Sequence, residues 1–577
     1  MFVVRGIVLG GLVVGLMGAA QATSQPPTVA QAGARMAAGD PAGAVKILDE
    51  VLAQDPANTA AWRTLGVALL QTKAYDRALT ALERALALQP GVPNVLYNIG
   101  SVHALKGDPD RALEWLAKAK AAGNIDMTRA QVDQNLASLR AHPRFRTLMP
   151  TDVDFAAPFV ESVAILREWR GEAPNDQFGW IARNIGDVDA DGVADVVTSA
   201  PTKAIGGAAA GRVYVYSTLT GRLLWTADGK PGDQLGLGIE AAGDTNRDGV
   251  PDVVASAPGR AEAYVYSGRD GTVLFTMKGA SPTEAFGRHV SGVGDVNGDG
   301  HADVFIGAPG RGASSPDKGR AVVYSGKDGS MLLALEGEVA GDAFGSTVSG
   351  DPFGRSQLLI VGAPSAGTAR RGRGYIYQGL NAKPKFTIES DQTGAALGAM
   401  FASVTGDVDA DGTDDVYVSD FPNAAKGPST GRVYVHSGRT GRMLHTFTGE
   451  TAGEALGTSP ANVGDVDGDG HADILVGAWQ YAGAAVSGGR VYLYSGKTGA
   501  LMKTYTSKQP GDTLGFDAVG LGDVNGDGMI DLLVTSAWSG VRGYRSGRVF
   551  VISSGVTKKI DPGSRNRKPT PGVDFAR

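Results

Sequence analysis

The stretch "GDVNGDGHAD" (residues 294–303) places oxygen-bearing side chains at alternate positions, Asp295, Asn297 and Asp299, and closes on Asp303. Side chains that alternate along a tightly turned loop converge on one point, and the glycine at the sixth position permits the sharp turn. Crowded carboxylates repel one another unless a cation lies between them. Hard oxygen donors without nitrogen or sulfur select calcium or magnesium. A ring of carboxylates with a backbone carbonyl suits the larger, more flexible calcium shell. No Glu stands at the twelfth position and strand-like segments flank the loop, so it is not an EF-hand.

The phrase recurs as D-x-[DN]-x-D-G-x-x-D from Asp187, Asp244, Asp295, Asp407, Asp465 and Asp523. One more copy fits between the third and fourth, where Asp351 opens "DPFGRSQ"; it is predicted to keep the frame while losing the other ligands. That makes seven units. A metal-free Asp/Asn/Gly turn would use the same residue types, but six copies in one frame argue against it. Unit three shows the full order: Phe286-Gly287, the loop 295–303, then "VFIGAP" (304–309), "AVVYSG" (321–326) and "MLLALEG" (331–337). Four short strands separated by turn glycines make a propeller blade. The last unit has "RVFVISSG" (548–555) but no fourth strand, whereas "VAILREWRG" (163–171) precedes Phe178-Gly179 and resembles one. The N-terminal strand is therefore predicted to complete the last blade, removing a sheet edge that invites aggregation.

These motifs resemble the FG-GAP repeat family, best known from integrin α-subunits, over nearly 400 residues. The resemblance implies a seven-bladed β-propeller, calcium in the loop between the first two strands of a blade, and a role in binding or adhesion. About six Ca²⁺ are implied. Their side-chain ligands would be Asp187, Asp189 and Asp191; Asp244, Asn246 and Asp248; Asp295, Asn297 and Asp299; Asp407, Asp409 and Asp411; Asp465, Asp467 and Asp469; and Asp523, Asn525 and Asp527. By the same analogy the seventh residue gives its carbonyl (Val193, Val250, His301, Thr413, His471, Met529). The ninth closes the site (Asp195, Asp252, Asp303, Asp415, Asp473, Asp531). The His301 and His471 side chains are expected to point outward without a partner. Six such ions would move the formal charge from -6 to about +6, so calcium is read as mainly structural, relieving repulsion within each blade.

Residues 25–123 follow another rule. Trp62, Leu65, Gly66, Ala78, Leu82, Ala85 and Pro90 fall at the spacings of a tetratricopeptide repeat, and a shift of 34 gives Leu96, Ile99, Gly100, Ala112, Leu116 and Ala119. The segment resembles that family, with three units and a further helix around 128–140 as a cap. Such a stack offers a groove for a peptide or protein, or serves as a spacer. Arg63, Val67, Tyr97 and Ser101 are predicted to face the groove. The expected division is a signal peptide (1–22), tetratricopeptide repeats (23–126), capping helix and linker (127–160), propeller (161–555) and a disordered basic tail (556–577).

The signal assignment rests on Arg5, the apolar run "IVLGGLVVGLM" (7–17) and Ala20-Gln21-Ala22. It implies an exported protein: periplasmic, cell-surface or secreted, and bacterial. With 84 glycines in 577 residues the chain suits many tight turns, and the absence of cysteine excludes disulfides and thiolate sites. The charge is too mild for nucleic acid, and no membrane span is expected after signal cleavage. No serine-nucleophile elbow, HExxH or phosphate loop occurs, so the chain is read as non-enzymatic. The face opposite the acidic loops is the candidate partner surface, through Trp479, Tyr481, Trp538, Arg542, Tyr544 and Arg545, with Arg370, Arg371 and Arg373 from the fourth unit. Packing between blades is the other reading of those residues. The function read from the chain is an exported, calcium-binding, integrin-α-like adhesion or protein-interaction module, with a helical-repeat adaptor for a second protein. The alternative is a lectin-like carbohydrate binder or a polysaccharide lyase acting through the face opposite the calcium loops.

Overall fold

The computed structural model describes residues 27–281, 283–310, 316–392, 395–459 and 462–558. The proposed signal peptide and residues 559–577 of the basic tail lie outside them. The chain divides into two compact units after Thr151. Among the described residues no helix is long and apolar enough to cross a membrane.

The first unit holds helices α1 (Val29–Ala37), α2 (Pro41–Gln54), α3 (Thr59–Gln71), α4 (Tyr75–Leu88), α5 (Pro93–Leu105) and α6 (Pro109–Ala122). Their starts are set by side-chain caps from Thr28, Asp40, Asn58 and Asp108 and by proline at the first turn of α2, α5 and α6. Ala44, Leu48, Leu65, Ala78, Leu82 and Ala85 form the buried stripe. Gly66 permits close helix pairing, because a Cβ there would stand 2.5 Å from Leu82. The single capping helix expected at 128–140 is instead two 3₁₀ helices, Met127–Gln131 and Gln134–Leu139. Asp126 and Asp133 each cap a new start and so interrupt the run. Met127, Ala130, Leu136 and Leu139 still bury against Leu96, Leu113 and Leu116. This cap also corrects two groove assignments. Tyr97 and Ser101 are buried; the Tyr97 hydroxyl donates to Asp133 at 3.0 Å and its ring lies under Arg129.

The second unit consists of seven antiparallel sheets, as the repeat predicts. Blade one runs Ala182–Gly186, Asp195–Ala200, Arg212–Tyr216 and Leu223–Asp228 from the inside outward. Among the described residues blade six has three strands, and its inner position is marked by the bridge Asn462↔Ile474. The N-terminal strand Ile165–Arg170 pairs with Arg548–Ser553 and completes blade seven, in a register that sets Trp169 opposite Val549. Second strands such as Asp195–Ala200 and Asp303–Ala308 are buried along their whole length, because both faces of a blade pack on neighbours. In six of the seven repeats the opening aromatic or Leu bridges to the glycine ahead of the preceding blade's third strand, as in Phe178↔Gly547, Gly211↔Leu235 and Gly319↔Phe344. Glycine follows it of necessity: Gly179 has φ 81°, and a Cβ there would lie 2.7 Å from the Arg548 carbonyl.

Blade four departs from the expected frame. Asp351 follows Gly345 by six residues where Asp295 follows Gly287 by eight. The inner strand is cut to Thr347–Ser349, and the shortened loop folds across the channel mouth. A Cβ on Gly243 would lie 2.5 Å from the Pro352 carbonyl, and one on Gly294 2.5 Å from the Gly354 Cα. Small residues on blades two and three thus make room for a plug from blade four.

Candidate metal centres and the opposite face

The six acidic loops share one hydrogen-bond cradle. In each, the first Asp accepts the N–H groups of the fifth and sixth residues at 2.7–3.2 Å. The seventh residue donates its N–H to the fifth Asp at 2.9–3.1 Å. The ninth Asp stands at or just before the start of the second strand and is fully buried. It accepts the N–H of the second loop residue at 2.8–3.1 Å. Five of these carboxylates also accept an N–H just past the third strand of the blade. Backbone donors therefore fix the carboxylates before any ion is considered.

First, third and ninth residues converge. Ligand oxygens of Asp187, Asp189 and Asp195 lie within 4.8 Å of one another, as do those of Asp407, Asp409 and Asp415 and of Asp465, Asp467 and Asp473. In the other three loops Asn246, Asn297 and Asn525 substitute an amide for the third carboxylate. The fifth Asp leans outward toward a base: Arg269 stands 3.4 Å from Asp248, Arg439 3.5 Å from Asp411 and Lys497 3.9 Å from Asp469.

The donor chemistry fits a hard divalent cation. Burial pushes the ninth Asp up to about 7 at Asp195, Asp415 and Asp531 and to about 6 at Asp252, Asp303 and Asp473, a cost that a bound positive charge removes. Asp409 Oδ1 and Asp531 Oδ1 are buried and have no hydrogen-bond donor. Blade four answers the same electrostatic problem differently. Its buried Asp351 accepts N–H groups from Phe353 and Ser356 at 3.1 and 3.0 Å and the Arg355 guanidinium at 3.2 Å. An arginine supplies the counter-charge.

The two loop histidines are partnered, contrary to expectation. His301 Nδ1 donates to the Thr245 carbonyl at 2.6 Å and His471 Nδ1 to the Val408 carbonyl at 2.7 Å. Each ties its loop to the second residue of the loop on the preceding blade. Inside the ring, a cavity of about 690 Å³ is lined by Arg183, Glu240, His289, Phe353, Phe401 and Asp414. Arg183 is buried between carboxylates of two other blades, Glu240 at 2.6 Å and Asp517. Nothing in the repeat pattern marks this triad.

At the other end of the channel, blades six and seven bring their predicted residues together. Trp479 meets Trp538 at 5.0 Å and Phe516 at 5.4 Å, both edge to face. Arg545 covers Trp538 at 3.8 Å and stands 5.0 Å from Tyr544, while Arg490 covers Tyr481 at 3.8 Å. Arg542 is exposed. Trp180, which follows Phe178-Gly179, joins the cluster through Phe516 at 4.6 Å; the residue after each such glycine was the overlooked signal. The blade-four arginines are less available. Arg373 is held by Glu389 and Glu338, Arg370 donates to the Gly341 carbonyl, and Arg371 is half-buried.

Family models agree with this geometry. An FG-GAP-like repeat model matches residues 244–306 and 465–534, an FG-GAP repeat model 178–216, and tetratricopeptide-repeat models 35–84 and 75–124. The chain carries FG-GAP repeats behind tetratricopeptide repeats. Its FG-GAP propeller has integrin relatives. Integrin alpha-4 of Xenopus laevis is 30% identical over 194 residues, 31% of this chain and 18% of the integrin. Integrin alpha-V of Gallus gallus is 30% identical over 210 residues, 32% of this chain and 20% of its own length. The phosphatidylinositol-glycan-specific phospholipase D of Homo sapiens is 28% identical over 393 residues, 56% of this chain and 46% of the enzyme. The FG-GAP chain thus spans less than half the length of each of these relatives.

Proposed function

We propose that this FG-GAP protein is an exported adhesion or protein-interaction module whose propeller is stabilised by about six calcium ions and whose helical repeats form an adaptor for a second protein. The sixfold recurrence of one preorganised oxygen cradle carries the reading. In each loop the first, third and ninth residues would hold the ion with the seventh carbonyl, and the fifth Asp would complete or support the shell. Bound calcium would neutralise clustered carboxylates and lock the inner ends of the blades. Binding rather than catalysis is proposed. The phospholipase likeness covers under half of that enzyme, so its named activity is not carried over. The carbohydrate reading is weaker, because Arg545 covers the Trp538 face that would stack on a sugar. Elemental analysis of the dialysed protein should find five to six calcium ions per chain. Two or fewer would refute the ligand assignment.

A further inference from the structure

The face opposite the acidic loops contains a cation that the fold leaves without a counter-charge. The residues after the Phe/Leu-Gly pairs include Trp180, Arg288, Ser346, Ala399, Thr458 and Phe516. They occupy equivalent places, because the glycine N–H donates to the second strand in each blade, as in Gly179 to Ser199, Gly287 to Gly307 and Gly515 to Thr535, each at 3.0 Å. The inner strand begins here and runs toward its acidic loop, so these residues ring the opposite mouth of the channel. Aromatic residues from blades one and seven form one side, and small or short polar residues from blades four to six form another. Arg288 stands in blade three.

Several other half-buried or buried arginines of the propeller have carboxylates: Arg320 has Glu284, Arg432 has Asp391, Arg490 has Glu450 and Arg183 has its triad. Among the described residues the half-buried Arg288 guanidinium has no hydrogen bond and no ion pair, and burial alone lowers its basicity. Its neighbour His289 is half-buried and pushed down to about 3 by desolvation and by Arg183 and Arg288, so it stays neutral beside Arg288. The aromatic cluster adds two more donors without acceptors, since Trp479 Nε1 and Trp538 Nε1 are buried and unbonded. Asp512 Oδ1 and Asp517 Oδ1 are buried and unbonded as well, but Asp517 pairs with Arg183 and Asp512 feels the charge of Arg548, so the charge left unanswered is the Arg288 cation, which suits an anion. Because ring faces are taken up by Arg545 and by edge-to-face packing, a carboxylate on a flexible peptide fits better than a stacking sugar acid.

We infer that this mouth receives an Asp or Glu carboxylate from an acidic segment of a partner protein, with Arg288 as the pairing residue. The inference rests on the protein-interaction reading and names the chemistry of its ligand. A guanidinium binds a carboxylate in bidentate fashion, giving both charge and orientation. The pairing would be screened by salt.

The test uses the full calcium-loaded chain and fluorescein-labelled hexaglutamate, followed by anisotropy at low and moderate salt, with hexagalacturonate as competitor. Parent protein should bind hexaglutamate with salt-sensitive affinity. Arg288→Met should weaken binding at least tenfold, and Arg288→Lys should retain part of it. Arg288→Met should also melt at or above the parent temperature, because it removes an unpaired cation. Arg288→Gln guards against misfolding in the Met variant. Equal binding by parent and both neutral variants, or no binding by the parent, overturns the inference. Stronger Arg288-dependent binding of hexagalacturonate overturns it in favour of an acidic saccharide. A failed test with five to six calcium ions still bound would leave the calcium reading intact.

Discussion

Glu168→Ala tests the closure of the ring by the N-terminal strand. Arg548, on the third strand of blade seven, has no exposed surface. Its Nε and Nη2 lie 3.1 and 2.9 Å from Glu168 Oε1, Nη2 donates to the Phe155 carbonyl at 3.2 Å, and the guanidinium lies 4.6 Å from the Phe550 ring. Glu168 belongs to the N-terminal strand and sits opposite Phe550. Removing its carboxylate strands a buried cation, which costs roughly 3–5 kcal/mol when one partner of a buried pair is deleted. Asp512 is also buried and electrostatically coupled to Arg548, so it should take over part of the charge and hold the loss near ~3 kcal/mol. For a unit of this size that corresponds to a fall in melting temperature of roughly 3–4 °C. Calorimetry in saturating calcium is the assay. The double variant Glu168→Leu/Arg548→Met should recover most of the loss, because an apolar pair of similar volume removes both charges. A Glu168→Ala melting temperature within about 1 °C of the parent, or a double variant worse than the single one, would refute closure through this strand pair.

Deleting 155–172 should lower solubility and melting temperature far more than deleting 559–577, since the first exposes the edge of Arg548–Ser553; comparable behaviour in the two truncations would contradict this. Chelator should lower the melting temperature of a 155–560 fragment and leave a 23–145 fragment unchanged. At free calcium ten times Kd each site adds ~1.4 kcal/mol, so six independent sites add about 8 kcal/mol, and equal responses from both fragments would refute the division of labour. Arg355→Ala should destabilise the propeller by about 1.5–3 kcal/mol, the range for a hydrogen bond to a charged group. That loss should be the same with and without chelator if the blade-four loop needs no ion. A calcium-dependent loss in thermal melts would show that it does.

The sequence alone determined most of what depends on residues within one repeat. Alternating oxygens, the sixth-position glycine and the buried ninth Asp act over nine positions, so the cradle around Asp295 could be read from "GDVNGDGHAD". The same holds for the blade order and for the N-terminal strand, whose pattern matches the fourth strand missing from unit seven. What the ring decides was hidden, because it joins residues from different copies of the repeat. Arg183 pairs with Glu240 and, 334 positions away, with Asp517; His301 reaches back 56 positions to the Thr245 carbonyl. Blade four illustrates the other limit. Its motif letters suggested an unchanged frame, but a shorter loop redirected Asp351 toward the channel and let Arg355 act as its counter-charge. The isolation of Arg288 belongs to this second class. A repeat specifies which position faces the channel, and only the assembled ring decides whether an opposite charge faces it there.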